Sequence, residues 1–394
     1  MLPQNGRGVD RRMRYSVRAV GTPHLVCLGF QMKTAEPALT SAPDMSLTDH
    51  GFEPLESRGL NYPMGKFAPD YGVVHPLGGG LGWTRLYVPG SLRHINVWLI
   101  EEAGGVAVVD TGVLLDSSKE AWIKALDGRA VTRVIVTHFH PDHLGCAGWL
   151  SAEHDAPLWM NRTEYLLARM LCADRRDEPP VEAVAQLVGA GWSAEQLAPM
   201  KARGWGNFSR IVSDMPVGHI RMGEGDVIRI GDRDWTVWIG SGHTPEHVCL
   251  IDFAGKVMIA GDQVLPRITS NVSVTITEPE GDPLGEWLAS IKKFRALPDD
   301  LLVLPAHGEP FYGLHARLDR LEEGHVTSLY RLHALLAEAP RRALDCFGVL
   351  FGRAIDDSIL GLATGEALAH LRHLEVTGRA TFDVRDGVRW WRAC

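Results

Sequence analysis

The stretch Thr137-His138-Phe139-His140-Pro141-Asp142-His143 puts three imidazoles and a carboxylate into a single turn. Imidazole and carboxylate donors together suit zinc or iron better than magnesium. His138 and His140 stand two positions apart, so on an extended segment they point the same way and can grip one ion. Asp142 and His143 face elsewhere, and the spacing therefore implies a neighbouring second ion. Two ions need further donors. Candidates follow downstream: His243 in Ser241-Gly242-His243-Thr244-Pro245, Asp262 in Ala260-Gly261-Asp262 and His307 in Pro305-Ala306-His307-Gly308. A closed structural site normally takes four ligands rich in cysteine, whereas this donor set contains none and points to an open, reactive site.

The elements that must carry these donors are legible as alternating strands and helices. Strand-type segments lie at Thr84–Val88, His94–Ile100 and Val106–Asp110, followed by an amphipathic helix over Ser117–Leu126. The β-branched run Val131–Thr137 then delivers the histidine cluster at its carboxyl end, and a helix starts at Leu144. Strands return at Val227–Ile230, Trp235–Ile239, Val248–Ile251 and Lys256–Ala260; a helix over Pro283–Ala296 and a last strand over Leu301–Pro305 present His307. Strand and helix in alternation imply an α/β layered core with its functional residues on loops past strand ends.

The H-x-H-x-D-H pattern, followed in order by G-H-T-P-x-H, G-D and a late A-H-G, resembles the metallo-beta-lactamase superfamily of dinuclear metallohydrolases from Gly72 to Gly313. That resemblance implies an αββα sandwich with two divalent ions, zinc first and iron or manganese as alternatives. His138, His140 and His243 would hold one ion, Asp142, His143 and His307 the other, and Asp262 would bridge both. Asp110 in Asp110-Thr111-Gly112 and His247 at the end of the H-T-P-x-H stretch would support the ligands by hydrogen bonding without binding metal. Two ions about 3.5–4 Å apart share a water and bring its pKa to around 7. The bridging hydroxide would attack an acyl carbon, with Asp142 or metal-bound water returning a proton to the leaving group.

Three further regions complete the chain. Residues 1–50 have scattered arginines and no uninterrupted apolar core, so they read as a disordered or loosely attached leader, with Met45 nearer the natural start. Residues 51–313 form the catalytic domain, interrupted over about 161–216 by a helical insertion that includes Thr163–Arg169 and Ser193–Ala198. Tyr165, Met170, Trp192 and Trp205 in that insertion are the candidate substrate contacts. Residues 314–394 read as helices over Arg317–Glu338, Ala343–Leu350, Ile355–Leu362 and Thr364–Leu374, then a hairpin turning at Asp386-Gly387. Helices followed by a hairpin make a winged-helix tail, and this one resembles the tail of the lactamase-beta-2-like branch.

Composition narrows the function. The chain has 394 residues, 45% hydrophobic and 22% charged, with a net charge of -8, which gives no hint of nucleic-acid or anionic-membrane affinity. The six cysteines show no paired spacing, as in reduced, cytoplasmic proteins, and Cys146 reads as a buried small hydrophobe. In the tail Arg372 is offset by Glu366 and Glu375, so DNA is not an expected partner; packing or homodimerisation is the expected role. The expected ligand is a small-molecule acyl substrate, with hydrolysis of an ester, thioester or lactone. The alternative is a phosphodiesterase or endoribonuclease acting on RNA, which the acidic charge disfavours. A metal sensor without catalysis and an exported beta-lactam hydrolase rank lower.

Overall fold

Runs such as Ile95-Asn96-Val97-Trp98-Leu99-Ile100 carry large apolar side chains on both sides of an extended chain, so a sheet built from them must be covered twice. The computed structural model, which describes residues 51–394, supplies the covering layers. The expected leader over residues 1–50 lies outside the described residues.

A short hairpin of β1 (Leu55–Ser57) and β2 (Leu60–Tyr62) precedes a seven-stranded sheet. Its strands are β3 (His75–Gly78), β4 (Leu81–Val88), β5 (Arg93–Glu102), β6 (Gly105–Val109), β7 (Val131–Ile135), β8 (Leu158–Asn161) and β9 (Ile220–Met222), side by side in that order. Pairing is antiparallel as far as β6 and parallel from β6 to β9. Helix α1 (Asp116–Leu126) joins β6 to β7, while α2 (Pro141–Leu144) and α3 (Ala147–His154) join β7 to β8. Between β8 and β9 come α4 (Arg162–Ala173), α5 (Val181–Ala190) and α6 (Ala194–Arg203). A second, five-stranded sheet runs β10 (Val227–Ile230), β11 (Arg233–Gly240), β12 (His247–Asp252), β13 (Val257–Gly261) and β14 (Leu302–Pro305), with α7 (Pro283–Phe294) between the last two. The chain ends with α8 (Leu314–Glu338), α9 (Phe347–Leu350), α10 (Leu360–Val376) and the hairpin β15 (Ala380–Arg385) and β16 (Val388–Ala393).

Alternation along the strands makes three apolar layers. Trp98 and Ile100 of β5 and Val109 of β6 face Trp235, Leu250 and Ile259 of the other sheet. Their neighbours Val97, Leu99 and Val108 turn the other way onto Trp122 of α1 and Leu150 of α3. On the far side Ile251 and Met258 meet Trp287, Ile291 and Phe294 of α7, with Leu318 of α8 and Leu371 of α10 in the same cluster. Each fully buried side chain of this kind contributes roughly 1.5–3 kcal/mol, so the two sheets form a rigid base for the loops at their ends. The architecture is the helix-sheet-sheet-helix sandwich expected from the sequence.

Several elements differ from the sequence reading. Strands β8 and β9 are three or four residues long, too short for periodicity to reveal, yet they extend the first sheet and bracket α4 to α6. Helix α5 has no counterpart among the expected elements. It has no side-chain cap, so the usual start signal is missing. Near the tail, Ile355 to Ser358 is not helical and one continuous α10 replaces the two helices expected from Ile355 to Leu374. Asp356 explains the break: its Oδ1 accepts both the backbone N–H and the hydroxyl of Ser358, a local turn that competes with helix. Among the described cysteines all are free, and Cys146 lies in the first outer core with its thiol pushed up to about 12 by burial.

Candidate metal centre

Strand β7 ends at Ile135, and the segment after it is pinned before the first histidine. Asp110, just past the end of β6, accepts the Thr137 backbone N–H on Oδ1 at 2.9 Å, and its Oδ2 meets His143 Nδ1 at 2.7 Å. Asp110 adopts φ 62°, a left-handed conformation that Asp tolerates better than most residues and that aims its carboxylate at the loop. Pro141 then opens α2, the short helix that carries Asp142 and His143.

Three nitrogens converge first. His138 Nε2 lies 2.9 Å from His140 Nδ1, which is 3.0 Å from His243 Nε2, and the last side of the triangle is 3.3 Å. Donors each about 2.0–2.1 Å from one ion have this spacing. His243 Nδ1 lies 2.7 Å from the Asn271 carbonyl, which leaves Nε2 free to coordinate. Burial, reinforced by the neighbouring imidazoles, lowers His138 well below its ordinary value and His140 to about 3. Both are therefore neutral at pH 7, the form that binds metal.

The second group differs in charge. His307 Nε2 is 3.3 Å from Asp142 Oδ2 and 3.4 Å from Asp262 Oδ1, while His143 Nε2 is 3.6 Å from the same Asp262 oxygen. Burial disfavours protonation of His143 and His307, but the carboxylates around them outweigh it and raise both. Burial likewise raises Asp142, and His143 and His307 reverse this to hold it at about 2. His143 Nε2, His307 Nε2 and Asp262 Oδ1 are all buried without a hydrogen-bond partner. Leaving such atoms unmatched costs about 1–3 kcal/mol each, a cost that a shared cation removes. His138, His140 and His243; His138, His143 and Asp262; and Asp142, His143 and His307 each have donor atoms within 4.8 Å of one another. The residues fit divalent metal ions.

Asp262 connects the groups. Its Oδ2 lies 3.4 Å from His243 Nε2, while Oδ1 faces His143 and His307. His247 is fully buried, burial keeps it neutral, and its Nε2 accepts the Asp262 backbone N–H at 3.0 Å. Gly261 beside it has φ 50° and leaves no room for a side chain, because a Cβ would come within 2.6 Å of the His247 ring.

The sequence reading missed several supporting groups. His94 presents its carbonyl to His307 Nδ1 at 2.7 Å, and its ring Nε2 accepts the Gly308 N–H at 3.2 Å. Asn96 donates to the carbonyls of Pro305 and Gly308 on either side of His307. Glu164 on α4 accepts the backbone N–H groups of Phe139 and Glu246. These residues sit inside strands or helices at ordinary spacings, and no motif marks them.

The candidate substrate contacts have other partners. Tyr165 is buried in the first outer core and its hydroxyl donates to the Pro216 and Val217 carbonyls. Trp192 donates to Thr364 Oγ1 and Trp205 to Asp174 Oδ2, both at 2.8–2.9 Å, while Met170 is exposed on α4. None of these bonds reaches the His/Asp cluster.

Comparison with known proteins places these observations. The model of the metallo-beta-lactamase superfamily matches residues 90–307, and that of the metallo-beta-lactamase-like C-terminal domain matches residues 329–394. A beta-lactamase domain protein from Burkholderia ambifaria, known from a crystal structure, is similar at 36% identity and a TM-score of 0.79, over 85% of this chain and 98% of that chain. A metallo-beta-lactamase family protein from Thermus thermophilus shares the fold at 23% identity and a TM-score of 0.68, over 80% of this chain and 99% of that one. The acyl-coenzyme A thioesterase MBLAC2 of Gallus gallus is 29% identical over 285 residues, which is 68% of this chain and 90% of the relative. With its donor clusters at the ends of two facing sheets and a family match over more than half its length, the chain belongs to the metallo-beta-lactamase superfamily.

Proposed function

We propose that the chain is a dinuclear metal-dependent hydrolase of acyl esters and thioesters, with acyl-coenzyme A thioesters as the substrate class to test first. The observation that carries the reading is Asp262, whose two oxygens face different donor groups, as a carboxylate shared by two ions must. Zinc fits the imidazole-rich donor set best, with iron or manganese as alternatives. Two such ions would supply hydroxide at neutral pH and polarise the scissile carbonyl.

The chain's own residues supply the rest. Asp110, His247, His94 and Asn271 fix the orientation of the ligands, so little reorganisation accompanies the reaction. Asp142, 3.3 Å from His307 in the second donor group, or a metal-bound water would relay the proton to the leaving group. The thioesterase similarity supports the acyl class, since a thiolate leaving group needs less protonation than an alkoxide.

For the tail we infer a winged-helix arrangement that packs against the catalytic sheets and does not read DNA. Helix α10, which would be the recognition helix, buries Leu368, Leu371 and Leu374, and Arg372 is tied to the Glu280 carbonyl and Glu375. Among the described residues no helix is long and apolar enough to cross a membrane.

The test is metal analysis followed by one panel: acyl-coenzyme A thioesters, lactones, nitrocefin, a phosphodiester reporter and single-stranded RNA. Thioester or ester turnover that chelation abolishes supports the reading. Turnover of phosphodiesters alone overturns it in favour of the nuclease alternative.

A further inference from the structure

Glu164 is a fully buried carboxylate that binds neither donor group directly yet touches both segments that carry the three-histidine triangle. Its Oε2 accepts the Phe139 N–H at 3.0 Å and its Oε1 accepts the Glu246 N–H at 2.8 Å. Phe139 separates His138 from His140, and Glu246 follows His243 by three residues. The two segments belong to different sheets: one leaves β7 of the first, the other joins β11 to β12 of the second. One side chain therefore spans the seam across which the triangle is assembled.

The energetics favour a positioning role over space filling. A buried carboxylate costs several kcal/mol unless its oxygens are satisfied, and an apolar residue would fill the same volume without that cost. Two backbone N–H groups, one on each oxygen, meet that need, and such bonds are strict about distance. Asn161 caps α4 by accepting the Thr163 N–H at 2.7 Å, so Glu164 is presented from a fixed first turn. The other donor group has separate supports: Asp110 behind His143, and His94 and Asn96 around His307.

We propose that Glu164 is the positioning residue of the three-histidine ion site. By holding the Phe139 and Glu246 amides on one carboxylate it sets the distance of His138 and His140 from His243, and hence that site's affinity for its ion. The site of Asp142, His143 and His307 does not depend on it. The inference rests on the dinuclear reading above, in which the triangle binds one ion of two.

The test is zinc titration of chelator-stripped protein in competition with a chromophoric chelator, with the visible spectrum of cobalt-substituted protein as a second readout. Wild type should take up two ions per chain. Glu164→Gln places an amide NH2 against a backbone N–H, so one ion should bind about 10–100-fold more weakly while the other keeps its affinity. The cobalt bands of the histidine site should shift alone. Glu164→Asp keeps the carboxyl group, set back by one methylene, and should recover part of the loss; it carries the test if Glu164→Gln does not fold. Asn161→Ala removes the cap that fixes the turn carrying Glu164 and should weaken the same ion by a smaller factor, with the other site unchanged. Unchanged affinities in Glu164→Gln, or an equal fall at both sites in either variant, each overturn the proposal. Wild-type protein that binds fewer than two ions contradicts the dinuclear reading itself, before any variant is compared.

Discussion

The Asp110 carboxylate accepts the Nδ1–H of His143 at 2.7 Å with both side chains buried, so the far nitrogen of that imidazole is aimed into the donor cluster and not left to choose. The same carboxylate holds the Thr137 N–H at 2.9 Å.

Asp110→Asn should therefore separate hydrogen bonding from backbone conformation. Asparagine tolerates the left-handed φ of this position but has one acceptor oxygen for three donors, the Thr137 N–H, the Thr137 hydroxyl and the His143 ring. Affinity for the ion at His143 should fall about 10–100-fold with circular dichroism unchanged. Chelator competition measures it, and an unaltered binding curve removes Asp110 from the supporting role.

His140→Ala should abolish turnover and lower bound metal, because it removes one corner of the nitrogen triangle. Arg372→Ala should leave turnover nearly unchanged, since its partners, the Glu280 carbonyl and Glu375, are not among the metal donors. Metal analysis alongside a steady-state assay checks both. A fully active, metal-replete His140→Ala protein contradicts the site.

Gly261→Ala tests how closely Asp262 is seated. The new methyl would meet the His247 ring at 2.6 Å and also force φ 50° on a residue with a side chain. We expect a loss of about 2–4 kcal/mol in stability and of most activity, read from chemical denaturation and initial rates. A variant of wild-type stability means the His247 contact is slack.

Much of this centre is written in the sequence because metal chemistry restricts residue types. Few groups coordinate divalent ions, so His138, His140, Asp142, His143, His243, Asp262 and His307 stand out at their spacings, and the structure brings them together. The residues that aim the ligands are not restricted in this way. A backbone N–H can be held by any acceptor within reach, and Glu164 and Asn96 meet that need from ordinary helix and strand positions. Long, strongly patterned strands such as β5 are equally plain, whereas β8 and β9 are defined only by pairing with their neighbours. Tyr165 and Trp205 carry bonds that no sequence pattern marks. Aromatics in a helical insertion suggest a substrate wall, and in the structure their polar atoms fasten the insertion to itself and to the 213–219 segment.

Glu366 on α10 gives a pH signature at a carboxyl that is not itself a metal donor. Burial raises its carboxyl to about 7, against a smaller opposing effect from Asn271 Nδ2 at 3.1 Å. A raised folded-state pKa means that the folded protein binds the extra proton. The associated stability is fully present below about pH 4.5 and is lost as pH rises through about 7. Glu366→Gln keeps a neutral side chain at all pH values. Its stability relative to wild type should therefore rise between about pH 5 and 8, by on the order of 2 kcal/mol. Urea denaturation at several pH values measures the difference, and a flat difference curve argues that Glu366 is ionised throughout.

The bridging position of Asp262 is tested most directly by anomalous diffraction at the zinc edge from crystals of zinc-loaded protein. Expected are two peaks, one among His138, His140 and His243 and one among Asp142, His143 and His307, with Asp262 between them. A single peak, or two peaks that do not share Asp262, contradicts the dinuclear hydrolase.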